Sequence, residues 1–153
     1  MAIEELEILM VEDTPSDEEL AVHVLRHEKL ANNIQVVHDG EEALDFIFCR
    51  GTYAGRSFDA PPRVILLDLK LPKLNGLEVL RHIREDTRTK FIPVVVLTSS
   101  KEDVDLIKAY ELGVNSYIQK PLDFDQFRKT IRELGLYWLV INQLPPSHIV
   151  QKS

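Results

Sequence analysis

Apolar and polar positions alternate in blocks along this chain. Short β-branched or apolar runs occur at 6–11 (LEILMV), 34–38 (IQVVH), 63–68 (RVILLD), 92–98 (IPVVVLT) and 114–118 (VNSYI), and they predict five strands. Helical patterns fill the gaps at 15–28, 40–49, 75–85, 102–111 and 123–141. The runs at 63–68 and 92–98 are nearly continuous in hydrocarbon, as strands covered on both faces must be. Five strands each followed by a helix imply right-handed crossovers. The predicted fold is therefore α/β, a doubly wound five-stranded parallel sheet with helices on both faces.

Local signals agree with the helices. Thr14-Pro15-Ser16-Asp17 offers a capping hydroxyl, a proline at the first helical position and an acid at the third. Ser100-Lys101-Glu102-Asp103 offers a similar box, and Gly113 is a natural helix stop. The last helix carries an apolar stripe of Phe124, Phe127, Ile131, Leu134, Trp138 and Ile141, which predicts one core-facing side. After Gly135, Leu136, Tyr137, Leu139 and Val140 add apolar side chains around the rest of it. Exposed hydrocarbon of that extent marks a contact surface, so a homodimer through the last helix is expected. The alternative is that the tail NQLPPSHIVQKS folds back and covers it.

Charge narrows the partners. Lys and Arg number 18 against 25 Asp and Glu, a net charge of −7, which is unsuited to gripping a nucleic-acid backbone. Cys49 is the one cysteine, so an internal disulfide is impossible, a reducing compartment fits, and the residue is expected to be packed near the end of the second helix. The start, MAIEELEILMVEDT, has no basic region ahead of its apolar stretch, and no segment offers the roughly 20 apolar residues of a membrane span. The expectation is a cytoplasmic protein with no membrane and no nucleic acid among its partners, its domain at 1–142 and a tail at 143–153 with no room for a separate output domain.

In doubly wound sheets, ligands bind beyond the carboxyl ends of the strands. Those ends carry Glu12 and Asp13 after the first strand, Asp68 after the third, Thr98 and Ser99 at the fourth, and Lys120-Pro121 after the fifth. Carboxylates gathered this closely raise one another's energy, and a divalent cation with hard oxygen ligands would offset that. The turn VEDTPSDEE is acidic where a dinucleotide fold needs glycines, and no phosphate-binding loop motif occurs. His23 and His27 lie one helical turn apart but lack an evident third ligand, while His38, His82 and His148 have no evident partner.

Glu12-Asp13, Asp68 in DLKLPKLNG, Thr98 and Lys120-Pro121 together resemble the receiver domain of two-component response regulators, over roughly residues 6–141. The long connection RGTYAGRSFDAPPR, with LLDLKLPKLNGLEVL, IPVVVLTSS and the tail YWLVINQLPP, is similar to the single-domain response regulators of cyanobacterial phytochrome histidine kinases. The resemblance implies strand order 2-1-3-4-5 and Asp68 as phosphoacceptor. It implies Mg²⁺ held by Asp13, Asp68 and the Lys70 backbone carbonyl, with Glu12 acting through water. It also implies Lys120 on a phosphoryl oxygen, delivered by a cis Lys120-Pro121 bond, with Thr98 turning onto the phosphoryl group and Tyr117 rotating inward behind it. A phytochrome-like sensor histidine kinase would be the donor. The protein would assist its own dephosphorylation, at a rate set partly by Lys70 and Ser100. Two other readings are a haloacid-dehalogenase-like phosphatase and a receiver-shaped scaffold that carries no phosphate. The first wants Asp-x-Asp, and Asp68-Leu69-Lys70 puts a lysine where its second acid belongs.

Overall fold

Each apolar run becomes a parallel strand in the computed structural model, which describes residues 6–145. The elements in chain order are β1 (Ile8–Val11), α1 (Pro15–His27), β2 (Ile34–Val37), α2 (Gly40–Ile47), β3 (Val64–Leu67), α3 (Gly76–Glu85), β4 (Val94–Thr98), α4 (Asp103–Glu111), β5 (Ser116–Gln119) and α5 (Phe124–Gly135). A short 3₁₀ turn, Gly51–Tyr53, lies in the long connection before β3. The strand order is β2-β1-β3-β4-β5, as expected.

Strand side chains alternate between faces, and this splits the core in two. Leu9, Val11, Ile65, Leu67, Val94 and Val96 pack against Leu44 and Ile47 of α2, Leu80 and Ile83 of α3, and Ala109 of α4. Ile8, Met10, Val64, Leu66, Val95 and Leu97 pack against Val24 and Leu25 of α1 and Phe127, Ile131 and Leu134 of α5. Both faces of β1, β3 and β4 are sealed, so the carboxyl edge of the sheet is the place where those strands can present polar groups.

At the opposite edge, Arg84 of α3 fastens the entries to β4 and β5. Its guanidinium donates to the carbonyls of Gly113 (2.8 Å), Lys90 (2.9 Å) and Ile92 (2.8 Å) and to Asn115 Oδ1 (2.8 Å). Gly113 ends α4 with φ +88°, the left-handed conformation that glycine adopts without penalty.

The last helix departs from the sequence expectation. The α-helix stops at Gly135, and Leu136–Ile141 continue as a π-helix, with the Asn142 amide donating five residues back to the Tyr137 carbonyl at 2.7 Å. The wider turn slips the apolar stripe. Leu139, five residues after Leu134, is buried in the core, while Trp138 is half-buried. Phe124 and Ile141, both expected inside, are 59% exposed. Leu136, Tyr137 and Val140 are exposed as well. Most of the tail expected to cover this surface, residues 146–153, lies outside the described residues.

Candidate functional site

Strand register builds the site. Val11 pairs with Leu67, so the next residues, Glu12 and Asp68, emerge side by side. Thr98 pairs with Gln119, and the Lys120 amide donates to the Thr98 carbonyl at 2.7 Å. The ends of β1, β3 and β5 thereby deliver an acid, an acid and a base to one rim, with β4 between the last two.

Lys120 Nζ lies 2.8 Å from Glu12 Oε1, 2.9 Å from Asp17 Oδ2 and 3.0 Å from Asp68 Oδ2. An ammonium has three N–H bonds, and all of them are used. Glu12 and Asp68 are 4% and 5% exposed. Burial pushes the Glu12 carboxyl up to about 7, with the Lys120 ammonium pulling back against it and the Asp68 charge adding to the rise. Burial alone would push Lys120 down. Its bonds to Glu12 and Asp17 and the charge of Asp68 outweigh that, and the ammonium is held above the ordinary lysine range.

Local contacts hold Asp68 at the rim. Its Oδ1 accepts the Lys70 amide at 3.2 Å, and its own amide donates to the Val11 carbonyl at 3.1 Å. α3 begins hard against this loop: a Cβ on Gly76 would collide with the Asp68 carbonyl and come within 2.7 Å of Leu69 Cα. Glycine at 76 is therefore a steric requirement of the acceptor loop. Asn75 caps α3 through Oδ1, which accepts the Glu78 amide at 3.0 Å.

Thr98 is fully buried, and its hydroxyl oxygen accepts the Ser100 amide at 3.2 Å. Ser100 in turn donates to Asp105 Oδ2 at 2.6 Å. Next to them, the Tyr117 hydroxyl is buried without a hydrogen bond, and burial raises its pKa. A buried unpaired hydroxyl costs about 1–3 kcal/mol. The ring is partly buried and packs against the core cluster on the α2–α3–α4 face of the sheet.

Several expectations are corrected. Among the described residues there is no cis peptide bond, so Lys120-Pro121 is trans; trans is the lower-energy isomer by about 0.5–1 kcal/mol, and Nζ reaches all three acids from it. Thr14 makes no side-chain cap; its amide donates to Glu12 Oε2 at 3.2 Å, and Asp17 turns to Lys120 instead of back along the helix. α4 starts at Asp103 with Glu102 at the cap position and no side-chain cap; the Ser100 hydroxyl accepts the Glu102 amide at 3.3 Å and donates to Asp105. His38 does have a partner, Glu18 Oε1 at 2.6 Å, because α1 passes beside the end of β2. His23 and His27 stack with centroids 5.5 Å apart. No group of three or more His, Cys, Asp or Glu among the described residues is arranged to hold a metal as it stands. At the sheet edge the reason is plain: the ammonium fills the centre of the carboxylates, and Asp13 points into solvent.

A family model for the response regulator receiver domain matches residues 8–132. The chain belongs to the response regulator receiver family.

Two curated relatives give the match scale. This receiver is 38% identical over 138 residues to response regulator Rcp1 of Synechocystis sp., covering 90% of this chain and 92% of that one. It is 42% identical over 138 residues to the probable methanogenesis regulatory protein FilR2 of Methanothrix harundinacea, covering 90% and 86%. Among solved structures, the Mn²⁺-bound form of Rcp1 superposes with TM-score 0.85 at 37% identity over 92% of this chain and 99% of that one. The phosphorylated cyanobacterial phytochrome response regulator RcpA superposes with TM-score 0.86 at 37% identity, over 93% and 99%.

Of the site residues read from sequence, Glu12, Asp68 and Lys120 meet directly in the receiver fold, and Thr98, Ser100 and Tyr117 line its next layer. Lys70 contributes an amide to Asp68. Asp17 was read only as a helix-start acid. No helix among the described residues is long and apolar enough to cross a membrane.

Proposed function

We propose that Asp68 accepts a phosphoryl group from the phosphohistidine of a phytochrome-like sensor histidine kinase, in a cytoplasmic phosphorelay. The observation that carries this reading is the meeting of Asp68, Glu12 and Lys120 within 3.0 Å at the rim of a sealed sheet. An Asp68 oxygen attacks phosphorus in line, and the P–N bond breaks with its electrons returning to the imidazole. The phosphohistidine reaches Asp68 at the rim from solvent. Lys120 transfers hydrogen bonds from the carboxylates to a phosphoryl oxygen. Thr98 supplies a hydroxyl to another, and Tyr117 follows into the space its movement leaves.

The donor set suits a divalent cation: buried Glu12 and Asp68, exposed Asp13 beside them and the carbonyl of Lys70 are all hard oxygens. Mg²⁺ is the species proposed, held by Asp13, Asp68 and the Lys70 carbonyl with Glu12 through water. When bound, it neutralises charge on the transferring group. Water attack at phosphorus later breaks the P–O bond to Asp68, releases inorganic phosphate and returns the free carboxylate, at a rate set partly by Lys70 and Ser100. A phosphotransfer assay with a labelled phytochrome kinase tests the assignment. Label should pass to wild type and not to Asp68→Asn; label on the variant would move the acceptor elsewhere.

The output surface proposed is a homodimer through the π-helical segment, supported by the exposure of Leu136, Tyr137, Val140 and Ile141. Replacing Tyr137 and Ile141 together by lysine should convert a dimer to a monomer in analytical ultracentrifugation. A wild type that sediments as a monomer at micromolar concentration, with and without a phosphate mimic, would end the idea.

A further inference from the structure

Asp17 stands outside the strand-end acids, yet it takes one of the three N–H bonds of Lys120, at 2.9 Å. It enters from α1, and its side chain is 30% exposed where those of Glu12 and Asp68 are 6%. No cap occupies it, since Thr14 and Glu12 satisfy each other across the turn. Below the three acids the wall is apolar, with Ala21, Leu66, Leu97 and Phe127, so the ammonium cannot retreat downward into polar surroundings. Its three bonds are divided among Glu12, Asp17 and Asp68.

We propose that Asp17 is a positioning residue that holds one of the three N–H bonds of Lys120 on α1, so that only one rests on Asp68 and the ammonium competes less there with a divalent cation and the incoming phosphoryl group. Without Asp17, the donors redistribute onto Glu12 and Asp68, and the ammonium competes with the cation for the same oxygens. With Asp17 present, Lys120 has a resting partner that is neither the acceptor nor a cation ligand. This inference rests on the reading of Asp68 as acceptor and cation ligand.

Two measurements on the full chain test it. In ¹⁵N-edited spectra of the metal-free protein at pH 8, the Lys120 ammonium should give a slowly exchanging signal that is lost or broadened in Asp17→Asn and recovered in Asp17→Glu. Titration with Mn²⁺ alone, read by electron paramagnetic resonance of the free ion, should show about fivefold weaker binding for Asp17→Asn. In a Lys120→Met background the same change should cost less than about twofold, because the competing ammonium is gone. An unchanged ammonium signal in Asp17→Asn overturns the inference. So does an equal loss of Mn²⁺ affinity with and without Lys120, which would make Asp17 a direct contributor to the cation. If wild type binds no Mn²⁺, the cation reading falls, while the ammonium spectra still decide whether Asp17 holds Lys120.

Discussion

Arg84 and Lys120 are half-buried cations at opposite ends of the sheet, and each ties three or more chain segments together. Their partners differ in kind. Arg84 bonds neutral oxygens: carbonyls of Gly113, Lys90 and Ile92 and the amide of Asn115. Lys120 bonds the carboxylates of Glu12, Asp17 and Asp68. Burial therefore lowers the pKa of Arg84 unopposed, whereas the acids raise that of Lys120 against burial. A cation among dipoles forms a fixed joint, since none of its four bonding partners titrates. A cation among acids forms a joint whose strength depends on pH, on other cations and on what Asp68 carries. The first holds the frame; the second is free to respond.

The sharpest way to break this comparison is to remove each cation. Arg84→Ala should cost about 3 kcal/mol in urea unfolding, because four charge-assisted bonds go at once, and the loss should be the same at pH 6 and pH 8. Lys120→Met should cost about 2 kcal/mol at pH 8, where three acids are left facing one another, and much less at pH 5. Equal pH dependence for the two variants would erase the distinction.

The smaller effect concerns Glu12 alone. Its folded pKa of about 7 lies above the 4.5 of an ordinary glutamate, so the folded protein holds this proton more tightly than the unfolded chain. Its contribution to stability is thus largest below pH 4.5 and declines as pH rises to about 7. Cation binding runs the other way, because the ion needs the carboxylate. Mn²⁺ affinity should climb severalfold between pH 6 and 8 and level off above, and Glu12→Gln should flatten that rise.

The sequence made the rim legible because strand ends are easy to locate. The runs ending at Val11, Leu67 and Thr98 are apolar enough to be strands, and the next polar residue must then lie at the edge. Asp17 was hidden for a different reason. An acid at the third position of a helix already has a local explanation in the helix dipole, and its true partner is 103 residues away. The conformation of Lys120-Pro121 and the burial of the Tyr117 hydroxyl depend on packing that no spacing encodes. The trimmed stripe in α5 was hidden by uniformity: Leu136–Ile141 is apolar all round, so an ideal α-helical period fits as well as a wider one.

That wider turn governs which surface the molecule offers. In an α-helix each residue advances the side-chain direction by about 100°, so the π segment works like a rotary offset between the anchored part of α5 and everything after it. Deleting one residue between Leu136 and Ile141 would remove the offset, withdraw Leu139 from the core, and point a different set of hydrocarbons outward without altering their chemistry.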